Sequence, residues 1–501
     1  MGATEGLTLV LGAGPAGLAA AFELVRHGRG VRVLERAGVV GGLARTIHRD
    51  GYRFDIGGHR WFTKSDELNQ LFVSLLGDEV VYVDRISRIY FDGRYVDYPL
   101  RFRNVLSKIG FLTSLRAVAD YAWAALHPPS PIGEHTMEQA YVAQFGRSLY
   151  ERFFRNYSEK VWGEPCDRLS GDWVVQRSKG MSLLTAVKDA IFPSKGETES
   201  LIERFMYPRH GYGRLSERLA EETVQGGGEI ALGTRISAVN HNDRRILSVQ
   251  LQDADGQERT MEADSFISSI PMPALARLLR PAAPPEVLAA ADKLSFRDLI
   301  TVNVMLRRKQ VTPDTWIYIH DPALPFGRLH EPKNWSPAMV PDDEHTSLVV
   351  EYFCFIGDST WSQSDEALCE LTVRHLSQTL GFIHADEVVG AFAVRSPRAY
   401  PTYRLGYQTH LDVLKAYSNR FDNLQLIGRA GAFRYNNADH AIESGLLAAR
   451  NVLGGQFDLD SVNAAAEYLE VRRRARQTNG SVADASPADP RPEPAALESG
   501  Q

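Results

Sequence analysis

Only three cysteines, Cys166, Cys354 and Cys369, occur in the 501 residues of this chain. An odd number without metal-ligand spacing supplies neither a disulfide framework nor a thiolate metal site, and a reducing cytoplasm is the expected compartment. No basic excess is present either. Fifty-six Lys and Arg stand against 62 Asp and Glu, a formal net charge of −6, which leaves no overall footprint for nucleic acid. Long apolar runs are missing as well, which excludes an obvious membrane-spanning helix. The nearest approach, Val105 to Leu126, is interrupted by Lys108, Arg116 and Asp120. It reads as an amphipathic helical region packed on the protein rather than docked on a membrane. The basic n-region and cleavage site of a signal peptide are lacking, because the first apolar run is itself the opening strand. Internal repeats are not found, and no metal site is expected.

What is there begins with an ordinary globular composition, 44% hydrophobic and 24% charged, over a length that suits two or three lobes. The most informative stretch is Leu9-Val-Leu-Gly-Ala-Gly-Pro-Ala-Gly-Leu18, followed by Val31-Arg-Val-Leu-Glu-Arg36. An apolar strand enters a Gly-x-Gly-x-x-Gly turn at Gly12, Gly14 and Gly17, then a helix, then a second strand ending in an acid. Gly12 permits the tight turn, Gly14 lets backbone N–H groups reach a pyrophosphate, and Gly17 lets helix and strand pack closely. The pyrophosphate then sits at the positive end of the helix dipole, beside Pro15 and Ala16. Glu35, followed by Arg36, accepts from the ribose hydroxyls. The strand before, the helix after and the acid about twenty residues on turn a weak pattern into a dinucleotide site.

The fold class expected is α/β: a discontinuous Rossmann-type domain with a helical insertion and a mixed or antiparallel-sheet substrate domain. Residues 1–100 form its first part, β-rich around one crossover helix, with Asp92-Gly93 a hairpin signal. Residues 101–205 form the helical insertion, broken at Pro128-Pro129-Ser130-Pro131. Residues 206–270 return to the nucleotide fold, 271–414 form the sheet-rich substrate domain, and 415–476 complete the nucleotide fold. The tail, 477–501, is rich in Pro, Ala, Ser and Asp and reads as disordered.

Further glycine clusters distinguish FAD from NAD. Val40-Gly41-Gly42-Leu43-Ala44-Arg45 and Phe54-Asp-Ile-Gly57-Gly58-His59 let backbone approach a long cofactor along its length. Near the C-terminus, Ile427-Gly428-Arg429 and the helix containing Asn437, Ala438 and Ala441 offer further donors to the ribityl chain and pyrophosphate. This triple arrangement resembles the FAD-dependent superfamily of amine oxidases, protoporphyrinogen oxidases, carotene desaturases and UDP-galactopyranose mutases. No second Gly-x-Gly-x-x-Gly follows a strand, so a reductant such as NADPH would have to dock transiently.

Interior motifs point to one branch. Tyr157-Ser-Glu-Lys160-Val-Trp162-Gly163 resembles the helical-domain signature of the UDP-galactopyranose mutases, and Tyr207-Pro-Arg-His-Gly211-Tyr-Gly213 resembles the loop that follows it. Phe296-Arg297-Asp-Leu is similar to a segment whose arginine lies at the active site. Leu324-Pro-Phe-Gly-Arg328-Leu-His-Glu331 is similar to one whose arginine holds the substrate diphosphate. Arg429 and Tyr435 match a further Gly-Arg motif. Independently, a diphosphate calls for convergent arginines and neutral hydroxyl donors. Arg177, Arg297, Arg328 and Arg429, with Tyr157, Trp162, Tyr403 and Tyr435, can supply them. For a single arginine the alternative is a surface salt bridge, and for Tyr403 and Trp162 it is core packing.

Departures fall on the substrate side. Met181 replaces an expected arginine, Phe433 a tyrosine and Asn437 an acid, while Arg60 and Trp61 add a cation and an indole beside the flavin. The resemblance implies a redox-neutral mutase acting on a nucleotide sugar. Reduced flavin attacks the anomeric carbon through N5 and the nucleoside diphosphate departs. Arg297 and Arg328 then carry the diphosphate charge, Tyr435 donates to a phosphate oxygen, and His59 lies at the flavin's reactive edge, in a chemical or a structural role. The rival reading is an FAD-dependent oxidoreductase of the amine oxidase or protoporphyrinogen oxidase type. It is supported by the Pro-rich turn Ser268-Ser-Ile-Pro271-Met-Pro273. A flavin-binding scaffold without turnover is the third. A homodimer is the assembly this reading allows.

Overall fold

Leu7–Leu11, apolar at every position but Thr8, sits in the middle of a five-stranded sheet. A nearly unbroken apolar strand is what a sheet covered on both faces requires. Its neighbours are Gly30–Leu34 and Glu229–Ala231 on one side and Ser265–Ser268 and Leu424–Leu426 on the other, all parallel. The computed structural model describes residues 6–98, 111–126, 134–174, 204–253 and 255–463. The nucleotide fold is thus assembled from three separated stretches of chain, and the α/β class is the one expected.

The helix Pro15–Arg26 covers one face, its Ala19, Ala20 and Ala21 fully buried. It packs against Ala438–Val452. At this crossing Gly445 is required: a Cβ there would lie 2.1 Å from the Ala16 carbonyl oxygen. Arg450 spans the same pair of helices to reach buried Glu23, with Nε to Oε1 at 2.8 Å.

A second layer is the four-stranded sheet of Glu258–Glu262, Ile246–Gln252, Arg235–His241 and Leu279–Arg280. The third is seven-stranded, in the order Val388–Thr402, Ser295–Leu306, Thr346–Cys354, Arg328–His330, Trp316–Ile319, Ser87–Phe91 and Arg94–Asp97. Its core, Ile300, Val302, Val304, Leu348 and Val350, has no exposed surface.

Two expectations are corrected here. The Asp92-Gly93 turn forms, with φ of 51° and 68° as a two-residue hairpin needs. Its hairpin, however, does not complete the first nucleotide-binding part at residue 100. Ser87–Phe91 pairs in parallel with Trp316–Ile319 and joins the large sheet. The physical reason is burial: Ile89 and Val96 pack on Leu149 and Phe153 of the helical region. Second, the stretch 206–270 is not nucleotide fold throughout, since Arg235–Glu262 builds the antiparallel layer.

The helical region contains Phe111–Leu126, Met137–Phe145 and Arg155–Trp162. Met137–Phe145 starts at a reciprocal cap in which Thr136 accepts from the Gln139 N–H at 3.0 Å and Gln139 from the Thr136 N–H at 2.9 Å. The break at Pro128–Pro131, Arg177, Met181 and the tail 477–501 lie outside the described residues. Among the described residues no helix is long and apolar enough to cross a membrane, and no group of three or more His, Cys, Asp or Glu side chains is placed to hold a metal ion.

Candidate active site

The three fingerprint glycines take separate roles. Gly12 has φ +110°, and a Cβ there would fall 2.2 Å from Ser269 Oγ. A Cβ on Gly17 would fall 2.0 Å from the Gly12 carbonyl oxygen. At Gly14 a Cβ would meet nothing within 4 Å and would project into an open groove. Gly14 also begins the helix without any side-chain cap, so the first-turn N–H groups are left to a ligand. At the end of the second strand, Glu35 accepts from the Ala13 N–H at 2.8 Å and the Ala37 N–H at 2.7 Å. That fixes the carboxylate and leaves it further acceptor positions for ribose hydroxyls.

The groove encloses about 630 Å³, within the range of cofactor sites. Of the predicted cofactor residues, Gly12, Gly14, Pro15, Ala16, Glu35, Arg36, Gly42, Leu43, Ala44, His59, Gly428, Arg429, Asn437, Ala438 and Ala441 line it. Gly17 serves packing instead. Gly57, at φ +78°, lies against the Glu351 carboxylate, and Gly58 lines the adjoining cavity. Thr234, Ile236, Ile270 and Arg398 also line the groove and were not anticipated. An open cradle at Gly14, an uncapped helix start and a fixed acid at the ribose end fit FAD.

A smaller cavity of about 130 Å³ adjoins the groove and shares His59, Arg429, Asn437 and Ala438 with it. Its other walls include Arg60, Tyr212, Trp316, Tyr318, Arg328, Tyr400 and Tyr435. Among the described residues, three arginines line it and no carboxylate does.

Arg328 lies opposite Glu351 in antiparallel register and pairs with it through both guanidinium edges, Nε to Oε1 at 2.7 Å and Nη2 to Oε2. Burial opposes ionisation of Glu351, but the Arg328 charge and hydrogen bonds outweigh it and hold this carboxyl below its ordinary range. Arg429 donates to the Asn436 carbonyl at 2.7 Å and the Ala399 carbonyl at 2.9 Å. Its guanidinium lies 4.9 Å from the Tyr400 ring and 5.1 Å from the Tyr435 ring. Tyr435 is held by its own N–H, which donates to Tyr403 Oη at 2.7 Å.

Nδ1 of His59 lies 3.2 Å from the Gly57 carbonyl, which assigns the proton to Nδ1 and leaves Nε2 as an acceptor. Burial first, then the Arg429 charge, push its pKa down to about 4. The ring is therefore neutral at physiological pH. Behind it, Asp55 accepts from Thr46 Oγ1 at 2.6 Å, Tyr207 Oη at 2.5 Å and the Tyr212 N–H at 3.0 Å. Burial raises the Asp55 carboxyl to about 6 against those hydrogen bonds.

Several predicted site residues lie elsewhere. Arg297 is not in either cavity. It donates to the carbonyls of Val161 at 2.9 Å, Lys160 at 3.2 Å and Phe353 at 2.8 Å. It thus fastens the last turn of Arg155–Trp162 to the large sheet, where it complements the helix's negative end. Trp162 is core, edge-on to Trp173 at 5.6 Å. Tyr403 is core as well, stacked on Tyr407 at 4.5 Å. Tyr157 stacks on His320 at 4.2 Å and sits edge-on to Tyr318, outside the cavity lining. Trp61 is not beside the groove but stacked on Phe72 at 4.5 Å. Glu331 ties loops together, accepting from the Val311 and Thr312 N–H groups and Thr346 Oγ1. The sequence reading missed Glu351, Tyr212, Trp316, Tyr318 and Tyr400. Glu351 did leave a signal, as the one charged residue in Leu348-Val-Val-Glu-Tyr-Phe-Cys354.

The fold, the glycine cradle and the adjoining cavity define a flavoprotein of the FAD-binding α/β class. The model of flavin-containing amine oxidoreductases matches residues 15–453, and the chain belongs to that family. FAD is the cofactor this membership implies. The chain is 21% identical over 446 residues to the chloroplastic protoporphyrinogen oxidase of Nicotiana tabacum, covering 82% of this chain and 79% of that protein. Among solved structures, reduced UDP-galactopyranose mutase superposes with a TM-score of 0.77 at 21% identity, over 92% of this chain and 98% of that one. A putative protoporphyrinogen oxidase from Exiguobacterium sp. gives 0.68 at 20% identity, over 91% and 100%. At these identities the likeness concerns the fold.

Proposed function

We propose that the protein is a flavin-dependent enzyme acting on an anionic substrate, and that the substrate is a nucleotide sugar isomerised without net redox change. One observation carries the reading: among the described residues, three arginines and no carboxylate line the cavity that opens onto the cofactor groove at His59. Bound, reduced FAD supplies the nucleophilic N5 such an isomerisation needs.

The chain's own residues do the rest. Arg60 and Arg429 hold the diphosphate charge as the bond to the sugar breaks. Arg328 contributes less charge than its motif suggests, because Glu351 already balances it. It serves as a rigid donor instead, its guanidinium prepositioned by the buried carboxylate. Neutral His59 offers Nε2 as acceptor to a sugar hydroxyl. Tyr435 lines the same wall as a hydroxyl donor.

A second reading, FAD-dependent oxidation of an anionic substrate, is favoured by the match to protoporphyrinogen oxidase along most of the chain. The test is to reduce the purified protein with dithionite or NADPH and incubate it with UDP-, GDP- and dTDP-sugars. Interconversion of sugar isomers without stoichiometric loss of reductant is the expected result. Steady oxygen uptake coupled to substrate loss, with no isomer formed, overturns the mutase reading in favour of the oxidoreductase.

A further inference from the structure

Among the described residues, no carboxylate pairs with the Arg85 guanidinium near the small cavity. Arg85 spends its Nε on Ser87 Oγ at 3.0 Å, while Nη1 and Nη2 are buried with no hydrogen-bond partner. It lies 5.1 Å from the Tyr98 ring and 5.2 Å from the Trp316 ring. Trp316 is 6% exposed and lines the cavity, and its indole Nε1 is also buried without an acceptor. A second cation, Arg60, lies 5.5 Å over the same indole and lines the same cavity.

The carboxylates of the strands around this corner are committed elsewhere. Asp314 takes Arg88 and Thr312, and Glu351 takes Arg328. A buried donor left unpaired costs about 1–3 kcal/mol, and more when charged. Orphan donors are rare in folded proteins, so three in one corner call for an explanation. Two cations over one indole also polarise its N–H towards an acceptor. The chemistry that satisfies all three at once is an oxyanion.

We propose that Trp316 and Arg60, on the cavity wall, and Arg85, packed against the Trp316 ring, form an oxyanion subsite at this corner of the small cavity, which holds the phosphoryl or carboxylate end of the substrate. The proposal rests on the reading of the substrate as anionic and adds where its charge is held. It is independent of whether the reaction is isomerisation or oxidation. Two sources offer the chemistry, the diphosphate of a sugar nucleotide and the side-chain carboxylates of a tetrapyrrole.

The test titrates flavin-loaded protein with inorganic pyrophosphate, UDP and a dicarboxylate porphyrin by calorimetry, comparing wild type with Arg85→Gln and Trp316→Phe. Each variant should bind the preferred probe at least tenfold more weakly while the flavin spectrum is unchanged. Whichever of UDP and porphyrin carries the effect names the source. Ligand-free Arg85→Gln should melt no lower than wild type, since it removes an uncompensated buried charge; a lower melting temperature makes Arg85 structural and overturns the proposal. Should that variant fail to fold, Trp316→Phe, which keeps an aromatic ring but loses the N–H and the indole's second ring, decides by probe affinity alone. Unchanged affinity in the variants overturns the subsite and leaves the anionic substrate standing. Failure of wild type to bind any of the three probes overturns both.

Discussion

Gly14 and Gly17 are three residues apart in one motif, yet they answer to different forces. An alanine at Gly14 points into the open groove, so the fold tolerates it and the cofactor does not. An alanine at Gly17 gains helix propensity worth up to about 1 kcal/mol. It also forces a methyl to 2.0 Å from the Gly12 carbonyl oxygen, and overpacking of that kind costs about 1–3 kcal/mol and wins. Gly14→Ala should therefore melt like ligand-free wild type while purifying without flavin, and Gly17→Ala should lose several degrees of melting temperature. Calorimetry beside the 450-nm region of the flavin spectrum checks both; equal melting temperatures for the two variants would remove the distinction. At this scale the sequence was most legible, because a glycine fingerprint acts on its immediate neighbours. Glu351 was not legible as the partner of Arg328, since 23 residues separate them and only strand register brings them face to face.

At the scale of elements, Arg297 shows what a matched motif leaves open. Spacing placed it on a strand but not the direction of its side chain. The strand Ser295–Leu306 meets a bulge between Arg297 and Leu299, where Val388–Thr402 carries Arg398 at φ +57°. Asp298 fixes the bulge by accepting from the Arg398 N–H at 2.6 Å and the Ile356 N–H at 2.8 Å. Arg297 is thereby turned to the end of Arg155–Trp162. Arg297→Met removes three charge-assisted hydrogen bonds, one to a buried carbonyl and two to half-buried ones, so it should destabilise by roughly 3 kcal/mol. Hydrogen exchange should quicken in Arg155–Trp162 while FAD stays bound. Loss of substrate binding with exchange in that helix unaltered would return Arg297 to the site. The glycine-rich turns, the Asp92-Gly93 hairpin and the C-terminal helix were readable because each is a local pattern. The seven-stranded sheet was not, because its pairings join segments with nothing local in common.

Over the whole molecule, buried histidines set the response to acid. His320, His330 and His59 are depressed to about 3, about 4 and about 4, in each case by burial first. Between those values and the ordinary 6.5 the unfolded chain binds protons that the folded chain refuses. Their contribution is therefore fully present above pH 6.5 and is lost as pH falls through the window. From pH 6.5 to 5 the deeply buried His320 and His330 each account for up to about 2 kcal/mol. Asp55, raised to about 6, works the other way, since the folded form keeps its proton between the ordinary carboxyl value and about 6. Burial also raises Asp298, Glu331, Asp439 and Glu443 in the sense of Asp55, but the three strongly depressed histidines outweigh them and leave a net loss on acidification. Urea midpoints at pH 7 and pH 5 should show it, and His320→Asn should lose less between those two values than wild type. An identical pH dependence in that variant would remove His320 from the account.

The pairing of Ser87–Phe91 with Trp316–Ile319, and of Leu7–Leu11 with Ser265–Ser268, has a consequence in time rather than in space. A ribosome delivers the first partner of each pair more than two hundred residues before the second. At about 5–20 residues per second the early strands wait some ten seconds or more with open edges. The cofactor's cradle closes later still, when Gly428 arrives beside Ala16. During synthesis those edges stay open to other pairings, and the cradle is complete for flavin only once the Gly428 segment has been made.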